Sequence, residues 1–369
     1  ASTGGQIMPP IMGAAALVMA DLTGTRYLDI LIAALIPALA YYASLFATIV
    51  FESRRMGMEA HGAEEMEITR QDWLNVIFLV ALPLSVVIWR LIAGASPAGA
   101  AVTAICTVLL LSPVSPAIRA APTKLLLAIA EGGKTFGRLL MVVGVVGIIV
   151  AVMSTTDLPG KLGREIAGVA SVALVLTLMI AALVSLLLGM GMPTLPAYLT
   201  VIIILGPALG AMGLSTMTAH MFVFYYGVAS AITPPVAVAA FAAAAIAGAR
   251  PIETGIAAVR IGVVIFAIPF MFALNPDMMM VAAAFPEGEG FETGAFVSVL
   301  LRTLLMIFLL ASATSRFDKT ALAPWEAVAR FALALLLIAP AVAIHLPAAG
   351  LALGLVVAHH LRPARAAAA

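Results

Sequence analysis

The sequence predicts an all-α protein that crosses a membrane many times, and two observations support this fold class. Of the 369 residues, 63% are hydrophobic and only 10% are charged, whereas a soluble domain is about half apolar and a quarter charged. The apolar residues also fall into runs close to the roughly 20 residues with which a helix spans a bilayer. Helices are expected because lipid offers the backbone no hydrogen-bond partners.

Seven runs are long enough to span the membrane, and three shorter runs could form thin spans or half-helices. The long runs cover residues 28–51, 74–94, 137–156, 166–188, 255–274, 296–315 and 325–346. The shorter runs cover residues 97–112, 195–210 and 347–361. The sequence therefore predicts a polytopic membrane protein.

Charges lie mainly in the connectors, so their placement predicts topology under the positive-inside rule. The basic connectors 52–72 and 113–138 are expected in the cytoplasm, together with Arg316, Lys319, Arg330 and the C-terminus. The acidic connector 275–294 and residues 157–165 are expected outside. His345, His359 and His360 lie near predicted helix ends, where an interfacial position is expected.

Four segments follow from this topology. Residues 1–112 hold the remainder of a first inverted repeat and the helices after it, and residues 113–136 form a cytoplasmic interfacial linker that is too polar to span. Residues 137–280 form the second inverted repeat, and residues 281–369 form a C-terminal membrane extension. The opening sequence ASTGGQIMPP shows no signal peptide, and we expect the chain to be a fragment that lacks an N-terminal part.

A short internal repeat places adjacent prolines in two apolar segments. Ile7-Met-Pro-Pro-Ile matches Ile232-Thr-Pro-Pro-Val further along the chain. Pro234 and Pro235 carry no amide hydrogen, so a broken transmembrane helix is predicted over 217–247, with halves at 217–229 and 234–247. The carbonyls that end the first half attract a cation, with help from the Ser230 and Thr233 hydroxyls, and the N-terminus of the second half attracts an anion. A simple proline kink is the alternative.

A second interruption, Gly189-Met-Gly-Met-Pro-Thr194, separates two apolar runs. Two glycines with Pro193 favour a sharp reversal, so residues 166–210 are predicted to form a re-entrant hairpin whose tip lines a polar cavity. By the connector charges, the first proline segment runs from inside to outside and the second from outside to inside. The two repeats are therefore predicted to be inverted.

These segments resemble a known family. GGQIMPPIMGAAALVMAD, LGMGMPTLPAYL and HMFVFYYGVASAITPPVAVAAFAAAAIAGARP are similar to the large permease of tripartite ATP-independent periplasmic (TRAP) transporters, most of all its fused TAXI type, over about residues 1–280. The resemblance implies an elevator-type transporter of the bacterial inner membrane, driven by Na⁺ or H⁺, that imports a small organic anion, often a carboxylate. It also implies a periplasmic binding protein and a small membrane subunit, which this chain lacks. No cofactor besides the coupling ion is expected.

The resemblance also implies cation sites at the two breaks and the hairpin tip. One site pairs the tip with the second break and comprises Gly189, Met190, Gly191, Met192, Thr194, Ser230, Ala231, Ile232 and Thr233. The other comprises Ser2, Thr3, Gly4 and Gly5, facing a first-repeat hairpin that the chain lacks. None of these residues is acidic, which favours a metal cation over a proton. Candidates for the substrate pathway are Pro193, Pro234, Pro235 and Tyr226.

His220 and Tyr225 lie on the same half-helix as Tyr226, where they either line the pathway or anchor the helix. Three other functions are weighed against TRAP transport. A membrane scaffold or sensor would not need the paired helix breaks. A dicarboxylate or ion symporter of the same superfamily would work without a binding protein. An intramembrane enzyme would require a Ser/Lys or Ser/His pair, paired aspartates or a zinc motif at membrane depth, and the sequence displays none of these, so no enzyme is expected.

Overall fold

The computed structural model of the chain describes residues 2–10, 12–58, 69–157, 161, 174–286 and 290–361. Within these ranges every regular element is a helix, apart from one isolated bridge between Phe317 and Ala321. Seven helices are long and apolar enough to cross a membrane: Tyr27–Arg55, Arg70–Ile92, Pro97–Val114, Thr194–Ala211, Pro251–Leu274, Thr293–Ser315 and Val342–Leu361. The predicted all-α, multi-pass membrane fold is confirmed.

A 3₁₀ turn at Ser2–Gln6 precedes fourteen helices of the described chain. These are α1 (Ala14–Thr23), α2 (Tyr27–Arg55), α3 (Arg70–Ile92), α4 (Pro97–Leu111), α5 (Thr123–Thr156), α6 (Leu174–Gly189), α7 (Thr194–Ala211), α8 (Thr216–Ser230), α9 (Val238–Ala247), α10 (Pro251–Ile261), α11 (Val264–Leu274), α12 (Thr293–Ser315), α13 (Pro324–Leu336) and α14 (Val342–Leu361). A short helix at Pro116–Ala120 lies between α4 and α5.

The chain forms two compact units. The smaller unit holds Arg26–Leu28 and Glu59–Val152. There, α3 packs on α4, and α3 begins with a capping box in which Thr69 and Asp72 satisfy each other's backbone amides. Few side chains of these two helices are buried, as expected for apolar helices whose surroundings are lipid.

The larger unit is built around α8. This helix packs against α6, α7 and α11, and also touches α1 and the 3₁₀ turn. Every residue from Met217 to Ser230 is buried except His220. A helix that is apolar on all sides lies in the interior of a helix assembly. Helix α8 is therefore the central helix of the larger unit.

Two helix boundaries differ from those predicted. Helix α5 runs without interruption through the expected end of the linker at residue 136, because it contains no proline and a helix tolerates its glycines at a cost of about 1 kcal/mol each. In the tail, the expected span 325–346 ends ten residues earlier, at Leu336, and α14 begins at Val342. Pro340 lies between them and cannot continue a helix. Residues 166–173 of the predicted run 166–188 lie outside the described residues.

The C-terminal helices bury an ion cluster. Arg330 is fully buried, and its Nη1 lies 3.0 Å from both Asp318 Oδ2 and Ser312 Oγ. Glu326 Oε1 lies 3.6 Å from Arg330 Nη2 and 2.9 Å from His359 Nδ1. Arg330 and His359 are thus buried in the protein, where both have carboxylate partners.

Arg302 occupies a second buried position, between two helix ends. Its Nη2 donates to Asn275 Oδ1 at 2.7 Å, and its Nη1 donates to the carbonyls of Leu337 and Ala339 at 3.2 and 2.9 Å. Asn275 ends α11 and Leu337 ends α13. The guanidinium therefore lies at the negative ends of two helix dipoles, which stabilise a buried cation without a carboxylate.

Candidate functional site

The hairpin tip consists of residues 189–194, from the last residue of α6 to the first residue of α7. The two helices pack against each other, so the chain reverses direction at the tip. Gly191 has a φ of +79°, a left-handed conformation that a side chain would strain. Pro193 immediately precedes the first residue of α7, where the absence of an amide hydrogen is harmless.

The second break consists of residues 230–237, from the last residue of α8 to the residue before α9. The amide of Ala237 donates to the Thr233 carbonyl at 3.2 Å, and that of Ala239 donates to the Ala231 carbonyl at 2.9 Å. Helix α9 begins at Val238, not at residue 234 as predicted. The two prolines have no amide to donate, and the loop is closed instead by the amides that follow them. At the start of α9, where an anion was predicted to bind, the Ala239 amide is therefore already paired with a carbonyl of the protein itself.

The first break consists of residues 6–13, from the last residue of the 3₁₀ turn to the residue before α1. The amide of Gly13 donates to the Gln6 carbonyl at 3.0 Å, and Gln6 aligns with Ala231 in the repeat. Both copies thus have a helical segment, a carbonyl that accepts from beyond the break, and a second helix. The prolines of both copies lie in non-helical backbone, and both Pro-Pro peptide bonds are cis.

The tip contacts the second break through Ser230. The buried Ser230 hydroxyl lies 3.0 Å from the Gly189 carbonyl and 2.7 Å from the Gly227 carbonyl. A Cβ at Gly189 would lie 2.8 Å from Ser230 Oγ, so only glycine permits this approach. A Cβ at Gly191 would lie 3.4 Å from the Val236 side chain. The two glycines of the tip therefore fit closely against the second break.

The tip contacts the first break through Gln6. Thr194 Oγ1 lies 2.5 Å from Gln6 Oε1. The sequence analysis paired the first break with a missing first-repeat hairpin, whereas the described residues place Gln6 against the hairpin of the second repeat. Gln6 was not among the predicted site residues. Its signal in the sequence is that no other amide side chain occurs among the first 70 residues.

Two of the remaining candidates of the first break, Thr3 and Gly4, lie in the protein interior. Thr3 is buried, and a Cβ at Gly4 would lie 2.6 Å from the Tyr41 ring of α2. Gly5 is exposed with no atom within 4 Å of a Cβ built there, and the side chain of Ser2 lies outside the described residues. The structure thus places Gln6 at the hairpin tip.

Among the candidates near the second break, Thr233 donates its hydroxyl to the Ala229 carbonyl at 2.8 Å. Met190 and Met192 belong to the tip, Ala231 supplies the carbonyl that closes the loop, and Ile232 is buried.

The predicted pathway residues have different neighbours in the structure. Pro193 lies at the tip, immediately before α7. Pro234 of the second break lies against α10, where its ring would be 2.9 Å from a Cβ built at Gly255. The Tyr226 hydroxyl donates to the Phe266 carbonyl at 2.6 Å. Its ring lines an almost wholly apolar cavity of about 550 Å³ between α6, α11, α12 and α13.

The groups that meet at the tip are neutral oxygens. They are the Gly189 and Gly227 carbonyls, the Ser230 and Thr194 hydroxyls, and the Gln6 amide oxygen. The Ser230 hydroxyl has a single hydrogen and can donate it fully to only one of the two carbonyls. The other carbonyl oxygen therefore keeps a lone pair that Ser230 does not occupy. Hard oxygen ligands of this kind suit an alkali or alkaline-earth cation. No acidic residue occurs in the tip or in either break, and the part of the chain that the structure describes holds no His, Cys, Asp or Glu cluster fit for a transition metal.

Comparison with known proteins identifies one match. A family model described as the tripartite ATP-independent periplasmic transporter, DctM component, matches residues 1–287. No curated protein and no solved structure matches the chain.

Proposed function

The chain belongs to the DctM component family of TRAP transporters, which are membrane permeases rather than enzymes, and from this premise we propose a more specific activity. The chain imports a small organic carboxylate together with Na⁺ across the bacterial inner membrane. A periplasmic binding protein delivers the carboxylate, and a small membrane subunit completes the permease. The binding protein and the small subunit are proposed from the family and not from contacts of this chain.

The contact of the hairpin tip with both helix breaks carries this proposal. Thr194 meets Gln6 on one side, and Gly189 meets Ser230 on the other. Non-helical backbone at membrane depth is tolerated only where protein or a polar cavity satisfies it. Secondary transporters use such interrupted helices to bind substrate and coupling ion. A simple proline kink would not bring two distant breaks to one hairpin.

The chemistry of the tip favours Na⁺ as the coupling ion. Its ligands are neutral carbonyl, hydroxyl and amide oxygens, none of which gains or loses a proton near neutral pH. A cation held only by neutral oxygens also leaves a net positive charge at the breaks. That charge favours an organic anion nearby, because burying an unpaired charge is unfavourable. Binding of the cation and binding of the carboxylate would thereby support each other.

Transport by the reconstituted protein tests this function. The chain is placed in proteoliposomes with its small membrane subunit and binding protein, and uptake of labelled pyruvate, succinate and glutarate is measured under a Na⁺ gradient or a proton gradient alone. We expect uptake of a carboxylate only with Na⁺. Uptake under the proton gradient without Na⁺ would refute Na⁺ coupling. Uptake without the binding protein would instead support the symporter alternative.

A variant at the second break tests the site itself. Thr233→Val removes the hydroxyl near the end of α8 while keeping the shape of the side chain. We expect Na⁺-dependent uptake to be lost while the amount of protein in the membrane stays normal. Uptake equal to wild type would remove Thr233 from the cation site.

A further inference from the structure

A cavity of about 460 Å³ lies beside the first turns of α8, apart from the hairpin tip. Residues of α1, α7 and α8 line it, among them Leu22, Gly206, Gly210, Thr216 and His220. Gly210 leaves room, since a Cβ built there would meet no atom within 4 Å. The volume lies within the range of about 300–1,000 Å³ that is usual for small-molecule sites.

His220 is the polar side chain that the fold holds toward this cavity. It is the only residue between Met217 and Ser230 that is not buried. Its Nδ1 lies 2.6 Å from the Tyr198 hydroxyl, and the two rings pack edge to face with centroids 5.9 Å apart. Tyr198 is itself fully buried and also packs on Phe224. The imidazole is therefore held in one orientation by a rigid aromatic partner.

The hydrogen bond to Tyr198 determines which ring nitrogen carries a hydrogen. Within the described chain the buried Tyr198 hydroxyl has no other acceptor, so it donates to Nδ1. A neutral imidazole that accepts at Nδ1 carries its hydrogen at Nε2. No described residue forms a hydrogen bond with Nε2, which leaves this donor for a ligand in the cavity.

The surroundings favour an anion. None of the described residues that line the cavity is acidic. Thr216 begins α8, so the positive end of that helix dipole also lies beside the cavity.

The position of the cavity along the predicted transport route also agrees with a binding site for the transported anion. Helices α1 and α7 end, and α8 begins, at the side that the connector charges place outside. Ten residues separate His220 from Ser230, which is about 15 Å along the helix axis. A ligand in the cavity would thus lie between the outer surface and the cation site.

We propose that this cavity is an outer binding site for the transported carboxylate, with His220 Nε2–H as the hydrogen-bond donor to a carboxylate oxygen. The proposal rests on the function proposed above and adds a specificity-determining residue outside the hairpin and the breaks.

Substitution of His220 tests the proposal in the same proteoliposomes. His220→Phe keeps a ring of similar size but removes the donor, whereas His220→Gln keeps an N–H group near the position of Nε2. We expect His220→Phe to raise the KM for the carboxylate about tenfold or more, as for loss of a hydrogen bond to a charged group. His220→Gln should stay within about threefold of wild type. The Na⁺ concentration for half-maximal uptake should not change in either variant.

Controls separate this inference from the function beneath it. His360→Phe makes the same substitution on α14, away from the cavity, and should leave the KM unchanged. If the wild type takes up carboxylate and His220→Phe has the same KM, the cavity is not the site although the transport function stands. If the wild type takes up no carboxylate of the set, both proposals fail.

Tyr198→Phe decides the matter if His220→Phe does not fold. This variant retains both rings but removes the hydroxyl that fixes the imidazole hydrogen on Nε2. We expect the KM to rise about threefold, and an unchanged KM would overturn the role given to the Tyr198–His220 pair. As a further check, succinamide, the uncharged diamide of succinate, should not compete with succinate for uptake. Equal competition would overturn recognition of an anion.

Discussion

Replacing Thr194 with Val separates two roles that its hydroxyl can have at the hairpin tip. The hydroxyl lies 2.5 Å from Gln6 Oε1, and the isosteric change removes this contact with little loss of volume. If the hydroxyl only holds Gln6, the variant loses one neutral hydrogen bond, about 1 kcal/mol of stability, and its affinity for Na⁺ stays the same. If the hydroxyl also binds Na⁺, the loss is that of a contact to a charged group, about 1.5–3 kcal/mol. We expect the second result, a rise of about 10- to 150-fold in the Na⁺ concentration for half-maximal uptake.

The assay is Na⁺-dependent carboxylate uptake in proteoliposomes over a range of Na⁺ concentrations, with thermal unfolding measured on the same samples. Thr194→Ser retains the hydroxyl and should keep the wild-type Na⁺ dependence. Thr200→Val is the matched control on α7, because the Thr200 hydroxyl has no hydrogen-bond partner among the described residues. If Thr194→Val and Thr194→Ser require the same Na⁺ concentration, Thr194 is not a cation ligand.

Three further predictions address the tip, the breaks and the C-terminal helices. Gly189→Ala should abolish Na⁺-dependent uptake, because the new Cβ would lie 2.8 Å from Ser230 Oγ. Gly354→Ala is the control and should transport normally, because a Cβ at Gly354 would have no atom within 4 Å. Equal uptake by both variants would contradict the close approach of Gly189 to Ser230. Gln6→Ala should weaken Na⁺ dependence by about tenfold if its oxygen is a ligand, and an unchanged Na⁺ titration would limit Gln6 to a structural role. Arg330→Met should lower the stability measured by thermal unfolding by about 3–5 kcal/mol, because the guanidinium between Asp318 and Glu326 is lost. Arg250→Met breaks an exposed pair with Glu253 and should change the stability by about 1 kcal/mol or less. Similar effects of the two substitutions would show that the buried cluster contributes little.

The sequence was sufficient to predict the interruptions because they have local causes. Pro234 and Pro235 cannot donate amide hydrogens, so the end of α8 at Ser230 follows from the residues themselves. Gly191 takes a left-handed conformation, so the reversal at the tip has a similarly local cause. In each case a few adjacent residues are enough to exclude a continuous helix.

The start of α9 and the position of Gln6 depend on contacts that the sequence does not display. Helix α9 begins only after the Ala239 amide has closed a loop onto the Ala231 carbonyl, which local propensity does not specify. Gln6 and Thr194 are separated by 188 residues, and which hairpin the first break faces is determined by packing around α8. The burial of Arg330 likewise depends on such contacts, because Asp318 and Glu326 supply the partners that make burial of its charge possible.

The bonds of Arg302 have a consequence for how the protein can be divided and labelled. They join Asn275, inside the region that the family model covers, to the end of α13, beyond that region. A polypeptide cut after residue 287 would lose this cation and leave the Asn275 side chain without it, so the family boundary is a poor place to truncate. A fluorophore attached near the end of α13 would, through the same bonds, follow the displacement of α11 during a transport cycle.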